Sequence, residues 1–207
     1  MSTSNSELMK DAERSLSGKW GLAVGTFFIY LLITVALEMA NREYAFVTII
    51  SLLLGGPLGL GIAIFSLNLS RDNDAKTDNL FDGFKNFGNA IGAYLLMGLF
   101  VLLWTLLLII PGIIAALSYA MTFYIMADDD SIAPMDAIDE SKRMMDGHKE
   151  KLFYMYLRIF GWVLLCLLTL GIGLLWLVPY ANVSLAKFYD DLKKDQYNIE
   201  EIGENID

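Results

Sequence analysis

Long apolar stretches without charge alternate with short polar segments along the chain. The longest uncharged stretch, residues 86–127, has 42 residues. A single helix of that length would extend about 63 Å, which is about twice the ~30 Å hydrocarbon thickness of a membrane. The stretch is therefore expected to cross a membrane twice, and the chain is predicted to reverse at Pro111 and Gly112. The predicted spans are residues 90–110 and 112–127.

The same pattern occurs toward the C-terminus. Residues 153–189 are largely apolar, and Gly171 and Gly173 interrupt them in the sequence TLGIGLLWLVPY. Glycine tolerates the backbone conformations that a tight reversal requires. The pattern predicts spans at 153–170 and 173–189.

Two further apolar stretches lie near the N-terminus, at residues 20–37 and 44–70, and the polar sequence EMANREY separates them. The first is 18 residues long and follows a polar segment of mixed charge, so it is interpreted as an uncleaved span rather than a signal peptide. A composition of 56% hydrophobic and 19% charged residues is typical of membrane proteins. The whole pattern predicts an all-α polytopic membrane protein with six transmembrane helices arranged as three hairpins.

The polar segments before the first and third hairpins have helical periodicity. In SIAPMDAIDESKRMMDG, Ser131 can cap the start of a helix, Ile138 and Met145 share one face, and Gly147 can end it. The segment SELMKDAERSLSG has the same character. Both are predicted to be short amphipathic helices on the cytoplasmic face, and solvated linkers are the alternative.

A related five-residue motif precedes each hairpin, as LSGKW, FDGFK and MDGHK. Its glycines Gly18, Gly83 and Gly147 are 65 and 64 residues apart. This internal repeat predicts a single membrane domain, residues 1–207, built from three units. The predicted units are residues 6–70, 71–128 and 129–190, followed by a polar C-terminal tail at 191–207.

Basic residues are distributed unevenly between the two faces that six spans would create. One face receives both termini and the polar segments near 71–88 and 128–152, whereas only Arg42 falls on the other face. The positive-inside rule therefore predicts that both termini are cytoplasmic. The net charge of −9 offers no basic patch, so no nucleic-acid partner is expected.

Five motifs carry a resemblance to a known family: GGPLGLG, LFDGFKNF, LLIIPGIIAALSYAMTFYIMADD, ESKRMMDGHKEKLF and LTLGIGLLWLVPYA. Together they resemble an uncharacterised family of bacterial integral membrane proteins that is common in Gram-positive bacteria and has no assigned activity. The likeness covers residues 8–191. The chain is also distantly similar to the membrane domain attached to some glycerophosphodiester phosphodiesterases. The resemblance implies a multi-pass protein of the bacterial cell membrane and supplies no functional residue.

The predicted spans lack the convergent polar groups that an intramembrane enzyme needs, so no catalytic, cofactor or metal site is predicted. His148 is the only histidine and lies in polar sequence. Arg158 and Lys187 stand out because both lie about 20 Å from the predicted outer turn at Gly171 and Gly173. They are predicted to share the phosphate of an anionic lipid. Separate snorkelling of the two side chains to the headgroups is the alternative.

Three G-x-x-x-G pairs begin at Gly21, Gly55 and Gly88 and are interpreted as helix-packing motifs. The function expected from the whole pattern is that of a non-enzymatic membrane scaffold or accessory subunit without a cofactor. Such a protein would act through membrane lipids or through an unknown membrane or cytoplasmic protein partner. A small transporter or channel built from repeated hairpins is the alternative.

Overall fold

The computed structural model describes residues 3–44 and 46–204, and its secondary structure over these residues is helical. Ten α-helices and one 3-10 helix, Gly83–Asn86, follow one another in the described residues. The α-helices are α1 (Asn5–Leu16), α2 (Trp20–Glu43), α3 (Val47–Ser70), α4 (Asn79–Asp82), α5 (Phe87–Leu107), α6 (Ile109–Ser118), α7 (Thr122–Asp128), α8 (Pro134–Met144), α9 (Lys149–Leu168) and α10 (Leu174–Glu204). The prediction of an all-α fold is confirmed for this part of the chain.

Five helical stretches in the described residues are long and apolar enough to cross a membrane. They are Trp20–Glu43, Val47–Ser70, Asn79–Leu107, Ile109–Asp128 and Lys149–Leu168. The sixth predicted span, residues 173–189, falls on the first half of α10, which is not one of the five. The apolar part of α10 is short, because Lys187, Asp190 and Asp191 lie within 18 residues of its start at Leu174. The sixth span therefore stays a prediction.

The connection between α5 and α6 lies at Leu108, whose backbone is extended (φ −160°, ψ 145°). Pro111 and Gly112, the predicted reversal, lie instead in the first turn of α6. Proline is tolerated there, since the first backbone N–H groups of a helix have no intrahelical partner. A Cβ atom on Gly112 would lie 2.9 Å from the Cα of Thr105, so this glycine lets α5 and α6 pack closely beside the connection.

The connection between α9 and α10 contains both glycines that were predicted to interrupt the chain. Gly171 has a left-handed backbone (φ +84°), and its N–H donates a 3.0 Å hydrogen bond to the carbonyl oxygen of Cys166. This geometry ends α9 and is the one that glycine adopts at least cost. A Cβ atom on Gly173 would lie 2.7 Å from the Sγ of Cys166, so α9 and α10 are in tight contact here.

The two predicted amphipathic segments are helices with one buried face. In α1, Ser4 and Glu7 form a reciprocal capping box, and the buried side chains are Leu8, Met9, Ala12, Ser15 and Leu16. In α8, the buried side chains are Ala137, Ile138, Ser141 and Met144. The predicted cap of α8 is wrong, because this helix begins at Pro134 and the Ser131 hydroxyl instead donates a 2.6 Å hydrogen bond to Asp129.

The central helix of the bundle is α3, which contacts α1, α2, α4, α5, α7 and α10. Residues 56–70 of α3 are largely buried, whereas residues 48–53 are mostly exposed. Apolar side chains are also exposed at the α5–α6 and α9–α10 connections, for example Leu106 and Leu170. The protein is therefore packed most densely at the end where α3 meets α4, α7 and α10.

The predicted G-x-x-x-G pairs differ in how they pack. Cβ atoms on Gly55 and Gly59 would lie 2.9 Å from Tyr94 and 3.0 Å from Phe123, so this pair accommodates aromatic side chains of neighbouring helices. The pair that begins at Gly21 has no atom within 4 Å of either Cβ position. A G-x-x-x-G spacing alone thus does not distinguish a packed glycine from an open one.

Candidate functional site

A charged cluster joins the C-terminal ends of α3 and α7 to α10. The Arg71 guanidinium donates hydrogen bonds of 2.6 and 2.9 Å to the two oxygens of Asp128. It also donates bonds of 3.0 and 2.7 Å to Asp190 Oδ1. Lys193 and the Tyr189 hydroxyl complete the cluster by bonding to Asp128 Oδ2 at 2.7 and 3.1 Å. These five residues are called the Arg71 cluster below.

Electrostatics within the Arg71 cluster favour its charged state. The hydrogen bond to Asp128 raises the pKa of Arg71 by more than burial lowers it, and Asp190 adds to the increase. A guanidinium with two carboxylate partners has the planar, multidentate geometry that makes such pairs strong. The cluster therefore holds three separate segments of the chain together.

A second polar contact fastens the N-terminal segment to α9 and α10. Asp191 accepts a 2.6 Å hydrogen bond from Lys151 Nζ and a 3.2 Å bond from the backbone N–H of Thr3. The Asn5 side chain donates a 2.7 Å bond to the carbonyl oxygen of Lys151. Burial raises the pKa of Asp191, but the bonds from Lys151 and Thr3 outweigh it, so the pKa lies below the ordinary value. Asp191 is accordingly a carboxylate at neutral pH.

Lys187 lies beside the Arg71 cluster. Its ammonium group donates a hydrogen bond to the carbonyl oxygen of Ser70, the last residue of α3. It lines a polar cavity of about 480 Å³ together with Asp72, Asp190 and Lys194. A cation at the C-terminal end of a helix is stabilised by the carbonyl groups that point toward it.

Arg158 lies in a different cavity, of about 450 Å³, between α1, α9 and α10. Trp20, Trp162 and Trp176 line this cavity, which is called the tryptophan cleft below. Lys10 and Glu13 of α1 also line it, as do Cys166 and Gly173 at the α9–α10 connection. Arg158 and Lys187 thus line separate cavities, and the structure does not bring the predicted pair together in one site.

Among the described residues, no group of three or more His, Cys, Asp or Glu side chains is arranged to hold a metal ion. Where α9 begins, the backbone N–H of His148 donates a 3.2 Å hydrogen bond to the carbonyl oxygen of Met145. His148 is thus the residue that directly precedes α9, and its backbone takes part in the turn that leads into this helix.

The Arg71 cluster was not predicted from the sequence. From the sequence alone, Arg71 and Asp128 fall in the polar segments near 71–88 and 128–152, and no pairing between them is predicted. One signal was available: Arg71, Asp128 and Asp190 each follow an apolar stretch directly, and the six-span prediction places all three stretch ends on one face. Opposite charges at neighbouring helix ends are candidates for pairing.

The helical structure indicates the class of protein, and a family model identifies the family. The described residues are helical, and several of their helices are long and apolar enough to cross a membrane, which are the features of a polytopic membrane protein. A family model described as "Protein of unknown function (DUF975)" matches residues 1–115 and 105–196, and the chain belongs to this family. No curated protein and no solved structure matches this chain. The Gram-positive distribution and the likeness to a phosphodiesterase membrane domain stay predictions.

Proposed function

We propose that this protein is a non-enzymatic integral membrane protein that serves as a scaffold or accessory subunit and acts through lipid and protein partners. The observation that carries the proposal is the set of ion pairs at the polar end of the bundle, where the end of α3 meets α7 and α10. There, Arg71 and Lys151 engage carboxylates of α7 and α10, so these charged groups fasten structural elements to one another. The result is a folded polar surface, formed in part by α1 and α8, on which a partner can dock.

The proposed topology has six spans in three hairpins. Contacts support it, because Thr3 touches Asp191 while Arg71 touches both Asp128 and Asp190, which puts these residues at one end of the bundle. Points at the same end are separated by an even number of crossings. Two candidate spans separate Thr3 from Arg71 and two separate Arg71 from Asp128. If α9 crosses, the first half of α10 must return the chain to Asp190.

Cysteine labelling tests this topology and its orientation, with both termini in the cytoplasm of a bacterial cell. Single cysteines replace Arg42, Leu108 and Lys142 in a Cys166→Ser background, and intact cells receive an impermeant maleimide. We expect labelling at positions 42 and 108 but not at 142, because the polar end carries most of the basic residues. Leu108 is preferred to Gly112, since a side chain on Gly112 would meet Thr105. Labelling at 142 alone reverses the orientation, and labelling at both 42 and 142 excludes a single topology.

A small transporter or channel is the second candidate function. A cavity of about 320 Å³ lies between α2, α3, α7 and α10 and is lined in part by Tyr30, Tyr124 and Asn182. Polar groups inside a helical bundle are typical of permeation pathways as well as of helix packing. This cavity is the feature that favours transport.

Purification from native membranes, together with reconstitution, distinguishes the two functions. We expect a protein partner to co-purify in stoichiometric amount with the tagged chain, and not with an unrelated polytopic protein that carries the same tag. The chain reconstituted alone should pass no small ions or solutes above the rate of empty vesicles. Flux through the isolated chain, with no stoichiometric partner, would replace the scaffold proposal by the transport one.

A further inference from the structure

The tryptophan cleft has the composition of a binding site for a membrane lipid. Three of the four tryptophans in the chain line it. Trp162 and Trp176 are each about half exposed, so their rings are accessible to a ligand. Tryptophan combines a large apolar surface with one hydrogen-bond donor and is enriched where membrane proteins meet the lipid headgroups. Aromatic walls of this kind fit an acyl chain and the ester region beside it.

The polarity of the cleft changes along its length. At one end, Gly173 packs tightly against Cys166, so α9 and α10 close the cleft there. Arg158 lies two helical turns before Cys166 on α9, which corresponds to about 12 Å. Lys10 of α1 lies toward the same polar end, because the N-terminal segment is fastened to Asp191 through Thr3. The cleft is thus apolar at its closed end and cationic at its open end.

The charge at the open end favours an anion. Ion pairs in the described residues join other cations to carboxylates, for instance Arg14 to Asp11 and Lys19 to Asp72, and include neither Arg158 nor Lys10. In the part of the chain that the structure describes, Glu13 is the one acidic side chain that lines the cleft, against these two cations. A guanidinium binds phosphate oxygens in a bidentate manner. A free phosphate would leave the aromatic walls uncovered, whereas a phospholipid covers both parts.

We propose that the tryptophan cleft binds one anionic phospholipid, with its phosphate at Arg158 and Lys10 and an acyl chain against the tryptophans. This inference rests on the proposed function, since it names the class of lipid through which the protein acts. In this proposal Lys10 rather than Lys187 is the partner of Arg158, because Lys187 bonds to Ser70 and lines a separate cavity.

Fluorescence quenching tests the site directly. The Trp104→Phe variant leaves only the three tryptophans of the cleft as indole fluorophores. It is reconstituted in phosphatidylcholine vesicles that contain a small fraction of brominated phosphatidylglycerol or, separately, brominated phosphatidylcholine. Brominated phosphatidylglycerol should quench at a mole fraction about tenfold lower, because each basic residue near the surface attracts anionic lipid. Soluble glycerol 3-phosphate should not relieve the quenching. Relief by it would assign the site to a soluble phosphate and overturn the lipid proposal.

Charge variants identify the residues responsible. Arg158→Gln with Lys10→Gln should remove the preference for phosphatidylglycerol. The matched control is Lys142→Gln with Arg143→Gln on α8, whose side chains are 42% and 74% exposed. It removes the same charge outside the cleft and should keep the preference. If the first double variant does not fold, Lys10→Gln alone carries the test, since this side chain is exposed, and it should weaken the preference severalfold.

Equal quenching by both brominated lipids would also overturn the proposal, as would a preference that survives the loss of Arg158 and Lys10. If Arg158→Gln with Lys187→Gln is as defective as the first pair and Lys10→Gln has no effect, the predicted pair is correct instead. Solute flux through the isolated chain would reject the scaffold proposal without altering these quenching results. The two proposals therefore fail separately.

Discussion

Gly61→Ala should destabilise the protein by about 3 kcal/mol, near the upper end of the usual overpacking cost. A Cβ atom at position 61 would lie 1.9 Å from the carbonyl oxygen of Leu80 and 2.6 Å from its carbonyl carbon. Both atoms belong to the backbone, so no flexible side chain can move aside. Gly83→Ala should have a similar effect, because its Cβ would lie 2.0 Å from the carbonyl oxygen of Pro57. The two glycines let α3 and the segment at α4 meet backbone to backbone.

Open glycines in the same protein provide the control. No atom lies within 4 Å of a Cβ placed on Gly21 or Gly98, both of which are helical. Alanine at these positions should be neutral or stabilising by about 0.5–1 kcal/mol, because it lowers the conformational freedom of the unfolded chain. Thermal unfolding of the purified protein in one detergent compares the four variants. Equal losses at Gly61 and Gly21 would show that the α3–α4 contact is not as close as described.

Much of the fold could be predicted from the sequence, because apolar stretches of membrane length have few stable alternatives to helices. Gly171 and Gly173, which were predicted to interrupt the chain, lie between α9 and α10, and Gly171 takes a left-handed conformation that glycine favours. The α5–α6 connection lies at Leu108, three residues before the predicted reversal at Pro111. Proline and glycine tolerate a break but do not compel one, and Pro111 is equally compatible with the first turn of α6.

Pairing between distant segments could not be predicted in the same way. Arg158 and Lys187 were matched by depth, but depth does not fix the direction of a side chain around its helix. In the structure, α1 supplies Lys10 to the cavity of Arg158, whereas Lys187 faces the end of α3. Likewise, the sequence could not indicate that Gly61 rather than Gly21 makes a backbone contact. Such facts depend on which helices are neighbours, and local patterns do not contain this information.

Loss of the Arg71 side chain should be the most damaging single change among the charged residues. Arg71→Gln removes the cation shared by Asp128 and Asp190, whose side chains are 14% and 19% exposed. Lys193 still neutralises Asp128, but among the described residues Asp190 keeps only a 3.3 Å hydrogen bond from the Ser70 hydroxyl. A partly buried carboxylate without its cation is costly, so we expect a loss of about 2–3 kcal/mol in the free energy of unfolding. Lys85→Gln is the control, because Lys85 is 81% exposed in its pair with Asp82 and its loss should change the stability far less than the loss of Arg71.

A second substitution separates electrostatic coupling from lost packing. Asp190→Asn in the Arg71→Gln background removes the carboxylate that the first change leaves unpaired, so it should restore about half of the lost stability. Asp190→Asn alone should destabilise the protein, because Arg71 then loses one of its two carboxylate partners. Thermal unfolding of the two single variants and the double variant in the same detergent gives the coupling energy. Strictly additive effects would mean that Arg71 and Asp190 do not interact, and α10 would then be held at this end by its apolar contacts and by the bond between Lys193 and Asp128.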